Sequence, residues 1–376
     1  MVARREGGAR VTPRRLAGAA IVLLVAAALA AVGFANVVHS SSTTTLAATT
    51  TLAPTTTAPA PAPSVSLSAV GDMELGDTPR LPPSATTYFD SVRDALAAPI
   101  VFGNLEGTIT DATTSKCAAT STNCYAFKVP PSYAQIYRDA GFTVLNSANN
   151  HSDDFGATGV ADTSAALRGA GIVQAGLPGQ IGVVREGSLK VAFVDFAPYA
   201  LTNNLLNAVS ATALIEQARR VANVVVVYMH AGAEGNAAVH VTRHEEYYVG
   251  EDRGNPYAFA HLAINDGADL VIASGPHVLR GLEWYRGHLI DYSLGDFVNY
   301  YDFSSAGLSG LSAVLHVTLN ATGGFVSAHF TSLVLAASGA ASVDHTQAAA
   351  REVNALSQED FASSAALIAP DGSISP

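Results

Sequence analysis

Two cysteines, three methionines and one tryptophan are all that 376 residues contain of those types, and charged residues make up only 14% of the chain. Two thiols cannot build a sulfur-rich metal site, and no further soft ligand lies near them in sequence. Cys117 and Cys124, in "KCAATSTNCY", instead read as one disulfide closing a polar loop, the default pairing in an oxidising compartment. Positive charge is also scarce: 20 Lys and Arg face 31 Asp and Glu. Five of the basic residues and one of the acidic ones fall in the first 15 positions, so the remainder sets 15 basic against 30 acidic residues. That balance argues against a nucleic-acid partner, which requires clustered Lys and Arg. An anionic substrate would have to be drawn by a bound cation rather than by general electrostatics. Catalytic signatures are missing as well. No G-x-S-x-G elbow and no G-x-x-x-x-G-K-[ST] loop occurs, which counts against serine hydrolases of that type and P-loop NTPases. No repeat of the solenoid type is visible.

What is present begins with an address. Arg4, Arg5, Arg10, Arg14 and Arg15 precede a charge-free run at residues 16–38, and 23 such residues suffice to span a hydrocarbon layer about 30 Å thick. Basic residues on its amino side keep residues 1–15 in the cytoplasm and send the rest outward. The run is longer than the apolar core of a signal peptide, so an uncleaved single-pass anchor is expected, with a cleaved signal sequence as the alternative. Residues 39–64, "HSSSTTTLAATTTLAPTTTAPAPAPS", hold no Asp, Glu, Lys or Arg. A segment so rich in Thr and Pro cannot bury enough surface to fold and reads as a disordered stalk that holds a domain off the membrane.

The chain as a whole is 49% hydrophobic, enough for a sizeable core, and from residue 65 short apolar runs alternate with helical ones. "VSLSAVGD", "PIVFGNLEG", "FTVLNSANNH" and "NVVVVYMHAGAE" read as strands. "YFDSVRDALAA", "PSYAQIYRDAG" and residues 156–171 and 209–222 read as helices. "NPYAFAHLAINDGADLVIASGPHV" is a helix and then a strand, and "SAVLHVTLN" with "FVSAHFTSLVLAAS" alternates like an antiparallel pair. Strands outnumber helices in this α/β pattern, which favours two packed sheets with helices outside. One domain over 65–338 is expected, followed by a weakly structured tail at 339–376.

Five of the strands end in residues that can bind ligands. The first runs into Gly71-Asp72-Met73-Glu74 and the second into Asn104-Leu105-Glu106. The third runs into Asn149-Asn150-His151, the fourth into His230 and Glu234, and the fifth into Ser274-Gly275-Pro276-His277. One such end is an ordinary turn, but carboxyl ends of strands in α/β proteins converge on a crevice. Carboxylates, amide oxygens and imidazoles suit a hard or borderline divalent cation, Mn, Zn, Fe or Mg. His240, His244, His261, His288, His316, His329 and His345 follow no strand-end pattern and read as surface or packing residues.

The order of these motifs, "AVGDMELG", "FGNLEGTITD", "NSANNHSDDFGATGVADT", "VVYMHAGAE" and "GADLVIASGPHVLRGLEWYRGHLIDYSLGDF", resembles the CapA-type capsule synthesis family across residues 65–300. That resemblance implies a four-layer α/β/β/α sandwich like the calcineurin-like metallophosphoesterases, with a metal cleft at one edge. It implies metal ligands at Asp72, Glu74, Asn104, Glu106, Asn150, His230 and His277, with Asn150 and His151 also in catalytic roles and His151 as general acid. The chain departs from the family pattern at His230-Ala231-Gly232, at Gly275-Pro276-His277, where one histidine is missing, and at Asp296. Glu74 or Asp296 would have to compensate for that histidine. The resemblance further implies work in poly-γ-glutamate capsule or envelope polymer biosynthesis, by metal-dependent hydrolysis or transfer. The substrate would be an anionic polymer or a phosphoester, with capsule-synthesis membrane subunits as partners. A non-catalytic accessory that anchors or guides the polymer, and a secreted phosphodiesterase or nucleotidase, are the two alternatives.

Overall fold

Val224–His230 reads VVVVYMH, and every one of its residues is buried. A β-branched run covered on both faces belongs in the middle of a largely parallel sheet. The computed structural model, which describes residues 62–375 except 119, 122 and 123, places it there. Its parallel neighbours are Leu189–Phe196 and Leu270–Ser274, and the sheet of six strands is completed by Gly182–Glu186, His288–Asp291 and Leu282–Tyr285.

The second sheet has ten strands with Ser64–Glu74 at its centre. That strand runs parallel to Ile100–Leu105 and, at its carboxyl end, to Asp296–Asn299, and antiparallel to Leu311–Asn320. Val144–Asn146 and Val173–Ala175 continue the parallel side. Phe325–Leu335 and three short strands extend the other side.

Three apolar layers show how the sheets stack. Leu67, Phe102 and Val144 of the larger sheet meet Val191, Phe193, Val226 and Tyr228 of the smaller one, with the Phe102 and Phe193 rings stacked at 5.3 Å. Truncating a ring as enclosed as Phe193 to Ala costs about 3–5 kcal/mol, through lost transfer energy and the cavity left behind. The outer face of the larger sheet is covered by Tyr133–Ala140 and Gly156–Gly169, through Tyr137 and Leu167 among others. That of the smaller sheet is covered by Ala208–Val221 and Pro256–Asn265, through Ile215, Ala218, Phe259 and Ala260. The order is therefore helix, sheet, sheet, helix.

Local chemistry sets the helix ends. The Asn207 and Asn255 side chains accept from the N–H of Ser210 and Ala258, which caps two helix starts. Gly141, at φ 110°, supplies the left-handed turn that stops Tyr133–Ala140.

Two expectations are corrected. The tail at 339–376 is not weakly structured. It forms the strand Ala341–Val343, the helix Ala348–Phe361 and the strands Leu367–Ile368 and Ser373–Ser375, so the domain does not end at 338. The helix buries Ala349, Ala350, Val353, Leu356, Ser357 and Phe361, a stripe of mostly small side chains too weak in hydrophobicity to stand out in sequence. The helix read in "YFDSVRDALAA" shrinks to Arg93–Leu96, led in by a single 3₁₀ turn. The expected tail at 1–15, anchor at 16–38 and nearly all of the stalk at 39–64 lie outside the described residues, and Ser64 already belongs to the first strand. Among the described residues, no helix is long and apolar enough to cross a membrane.

Candidate metal centre

The first strand delivers Asp72 at a break in pairing: its register against both Ile100–Leu105 and Asp296–Asn299 shifts at this point. Asp72 is buried, and its backbone N–H donates to Gly295 O at 2.9 Å. Its carboxylate accepts from Asn104 Nδ2 at 2.7 Å, from the Gly275 N–H at 3.0 Å and from the Ser274 hydroxyl, which also meets the Tyr228 hydroxyl. Burial works against its charged form, but hydrogen bonds and charge from His230 and His277 hold Asp72 well below the usual carboxylate range.

His277 follows the Leu270–Ser274 strand in a left-handed conformation, φ 57°, that costs a non-glycine residue of order 1–3 kcal/mol. Its ring stacks on Phe303, with centroids 4.4 Å apart. Nδ1 lies 2.8 Å from Asp296 Oδ1 and 3.3 Å from Asp72 Oδ2, and Nε2 lies 3.7 Å from Glu106 Oε1. Burial alone would discharge this imidazole; Glu106, Asp296 and Asp72 override it and hold its pKa well above the ordinary histidine value.

Asp72, Glu106 and His277 each place one ligand atom within 4.8 Å of the others. Both carboxylate oxygens of Glu106 are buried and meet no hydrogen-bond donor. A buried carboxyl group is normally hydrogen-bonded, paired or bound to a metal, so an orphaned pair of oxygens beside a second carboxylate and an imidazole fits a divalent cation. Burial, reinforced by the charge of Asp72, pushes Glu106 well above its ordinary pKa.

The other expected residues fall around this trio. His230 lies 3.7 Å from Asp72 Oδ1 and 3.8 Å from Glu106 Oε1, outside the group of three but against two of its members, and burial pushes its pKa down to about 4. Asn104 links the trio to the residues around it. Its oxygen accepts from Asn146 Nδ2 at 2.6 Å and Asn149 Nδ2 at 2.9 Å, while its Nδ2 faces Asp72 and His230. Glu74 is not part of the centre. Both of its oxygens accept from the Gly76 N–H at 3.1 Å, it acts electrostatically on Tyr88 and Tyr137 of the helix-covered face, and burial pushes it up to about 8. Between Asp72 and Met73 the register against Asp296–Asn299 shifts, so Glu74 does not follow Asp72 as the regular two-residue alternation would have it. Asp296 does sit at the centre, on His277.

Beside the trio opens a cavity of about 490 Å³ whose wall includes Lys116, Asn150, His151, Glu234, Arg253 and His277. His151 Nδ1 is 2.9 Å from Asp154 Oδ2, which leaves Nε2 as the nitrogen for chemistry in the cleft. Asp154, which reads in sequence as a turn residue, thus orients a histidine, and Lys116 pairs with its other oxygen at 2.6 Å. Burial keeps the His151 pKa below its ordinary value, only partly offset by Asp154. The Asn150 side-chain oxygen is buried without a hydrogen-bond partner. Cys117 and Cys124 form the expected disulfide, and Cys124 lies on the cavity wall.

One residue carried no strand-end signal at all. Arg253, in "EDRGN", directly follows the two-residue strand Glu251–Asp252, yet it is 1% exposed and its Nη1 donates to Glu234 Oε1 at 2.6 Å. Only its position 23 residues after His230, in a stretch with no strand pattern, was legible.

Comparison with known proteins adds ancestry to this geometry. The family described as Bacterial capsule synthesis protein PGA_cap matches residues 66–301. The chain is similar to the PGA biosynthesis protein CapA of Bacillus subtilis (strain 168), at 28% identity over 282 residues, covering 69% of this chain and 70% of that one. It is similar to the capsule biosynthesis protein CapA of Bacillus anthracis at 28% over 181 residues, covering 43% of this chain and only 41% of that relative. Among solved structures, a 5'-nucleotidase precursor from Thermus thermophilus aligns with 79% of this chain and 59% of its own, at 15% identity and a TM-score of 0.39.

Proposed function

The chain belongs to the bacterial capsule synthesis family PGA_cap, and from that premise we propose that it serves poly-γ-glutamate capsule or related envelope polymer synthesis as a metal-dependent hydrolase or transferase. It would act outside the cytoplasm, held by residues 16–38 as a single-pass anchor, on an anionic polymer or phosphoester. The disulfide supports the compartment, since such bonds persist where the surroundings are oxidising. The observation that carries the catalytic reading is the pair of orphaned Glu106 oxygens beside Asp72 and His277.

Those three residues would hold the ion, with His230 against it and the Asn150 oxygen nearby. A bound Mn, Zn, Fe or Mg ion supplies Lewis-acid polarisation and lowers the pKa of water. The chain's own groups supply the rest. Asp296 fixes the His277 ring, and Asn104 fixes Asp72 and His230. His151, oriented by Asp154, presents Nε2 to the cleft, where an anionic substrate raises its pKa and lets it deliver a proton to the leaving group.

A polymer-retaining accessory without turnover, working with capsule-synthesis membrane subunits, is the second reading. Exposed Tyr125 and Val249 on the cavity wall favour it, because they offer contact surface rather than chemistry. A secreted phosphodiesterase or nucleotidase would share the centre but not the substrate.

The test is elemental analysis of the purified full-length chain, followed by assays on poly-γ-glutamate, a phosphodiester and a nucleotide panel. Bound metal with turnover of the polymer supports the proposal, and turnover of nucleotides alone supports the nucleotidase. Polymer binding that survives chelation without turnover supports the accessory. No bound ion after reconstitution with Mn, Zn, Fe or Mg would remove the catalytic reading.

A further inference from the structure

Arg253 is among the largest fully buried side chains of the protein, and it is walled into the cleft rather than the core. Nη1 is paired with Glu234 at 2.6 Å. Nη2 lies 3.4 Å from His230 Nε2 and 3.4 Å from Gly275 O, and Nε meets no acceptor. The loop that carries it is pinned: its backbone N–H donates to Glu246 O at 2.8 Å, and Glu246 is paired in turn with the buried Arg280 at 2.7 Å. This guanidinium is a fixed part of the site.

Its placement bears on how many cations the centre accepts. A guanidinium is charged at every accessible pH and offers only donors. Beside His230 Nε2 it occupies the direction from which a second ion would use that nitrogen, and it holds Oε1 of Glu234, whose other oxygen lies 3.8 Å from His277 Nε2, while the closer carboxylate of Asp296 is taken up by His277 at 2.8 Å. Gly275 offers no side-chain ligand on this side of His230. At φ 110° it lies so close to His230 that a Cβ there would sit 3.1 Å from Ala231 N and 3.2 Å from the His230 ring, so any side chain at that position would be strained and crowded.

We infer that the centre takes one divalent cation, on Asp72, Glu106 and His277, and that Arg253 is the second, built-in cation, facing the same substrate oxyanion across the cleft. The inference rests on the metal-centre reading of the previous section and deepens it: the substrate class is one with an oxyanion that spans a metal ion and a guanidinium.

The test uses full-length protein stripped with a chelator and titrated with Mn²⁺ alone. Stoichiometry is read by elemental analysis, and spin coupling by low-temperature electron paramagnetic resonance. Wild type is expected to bind one equivalent with the spectrum of an isolated ion. Arg253→Met is expected to admit a second equivalent and show a coupled pair, and Arg253→Lys, which keeps a cation, to remain at one. Two equivalents in wild type would overturn the inference while leaving the metal centre intact. One equivalent in Arg253→Met would remove Arg253 as the cause. No binding by wild type would sink both readings together. The wild-type measurement stands even if a variant fails to fold, and a melting curve of each variant identifies that case.

Discussion

His277 follows a strand of the smaller sheet and Asp296 opens a strand of the larger one, yet His277 Nδ1 and Asp296 Oδ1 are 2.8 Å apart. The pair spans the two halves of the sandwich. Its carboxylate selects which ring nitrogen is available and holds the ring against Phe303. Partners of this kind commonly change metal affinity 10–100-fold when removed. Asp296→Asn is therefore expected to weaken Mn²⁺ binding by about that factor with the melting temperature in metal-free buffer little changed. Unaltered affinity in a calorimetric titration would show that the pair is structural only.

The Asp154–His151 pair makes a different prediction. Asp154 raises the His151 pKa against the downward pull of burial, so Asp154→Asn should lower it further. Activity that depends on the protonated ring then moves to more acidic pH. The loss of oriented proton transfer should cost up to about 10²-fold in kcat. Metal content should not move. A pH–rate profile superimposable on wild type would exclude His151 as the acid.

Asp195 gives a prediction about stability. Both of its oxygens are buried without a partner, and burial alone pushes it well above its ordinary 3.8. A raised carboxyl pKa means that the folded state keeps a proton the unfolded chain gives up. Its contribution is complete below about pH 3.8 and is lost as pH climbs through the folded-state value. Asp195→Asn cannot ionise and escapes that loss. The melting temperature of the variant relative to wild type should therefore rise from about pH 4 upward. A difference that stays flat with pH would show that Asp195 is stabilised by something other than its proton.

The disulfide closes a loop with a sequence separation of 7. Chain entropy assigns so short a loop about 2.5 kcal/mol, less than a long one would give. Reduction, or Cys117→Ser with Cys124→Ser, is expected to lower the melting temperature modestly. Because Cys124 lies on the cavity wall, KM should rise more than kcat falls. Equal losses in kcat and kcat/KM, with KM unchanged, would place the loop's role in chemistry rather than binding.

The legible part of this protein was the part governed by period and punctuation. Buried strands such as Val224–His230 announce themselves by β-branched runs, and Asp72, Glu106, His230 and His277 stand out because polar residues interrupt those runs where strands converge. Glu74 misled because a register shift between Asp72 and Met73 against Asp296–Asn299, which sequence does not display, interrupts the alternation on which its placement depended. The hydrogen bonds of Asn104 to Asn146 and Asn149 were not legible, because they join strand ends far apart in sequence. Arg253 was silent, since a loop residue reaches a site through tertiary geometry with no local pattern. The Ala348–Phe361 helix was silent for another reason: alanine and serine fill a narrow space without a strong hydrophobic stripe. The anchor at 16–38 rests on the length and charge flanks of its apolar run alone.

The chain leaves the smaller sheet at Asp291 and enters the larger one at Asp296, with four residues between, and Gly295 in that link accepts from the Asp72 N–H. The halves of the sandwich are thus sewn together at the floor of the cleft. A rotation of one sheet against the other would have to deform this four-residue link and break the Asp72–Gly295 hydrogen bond.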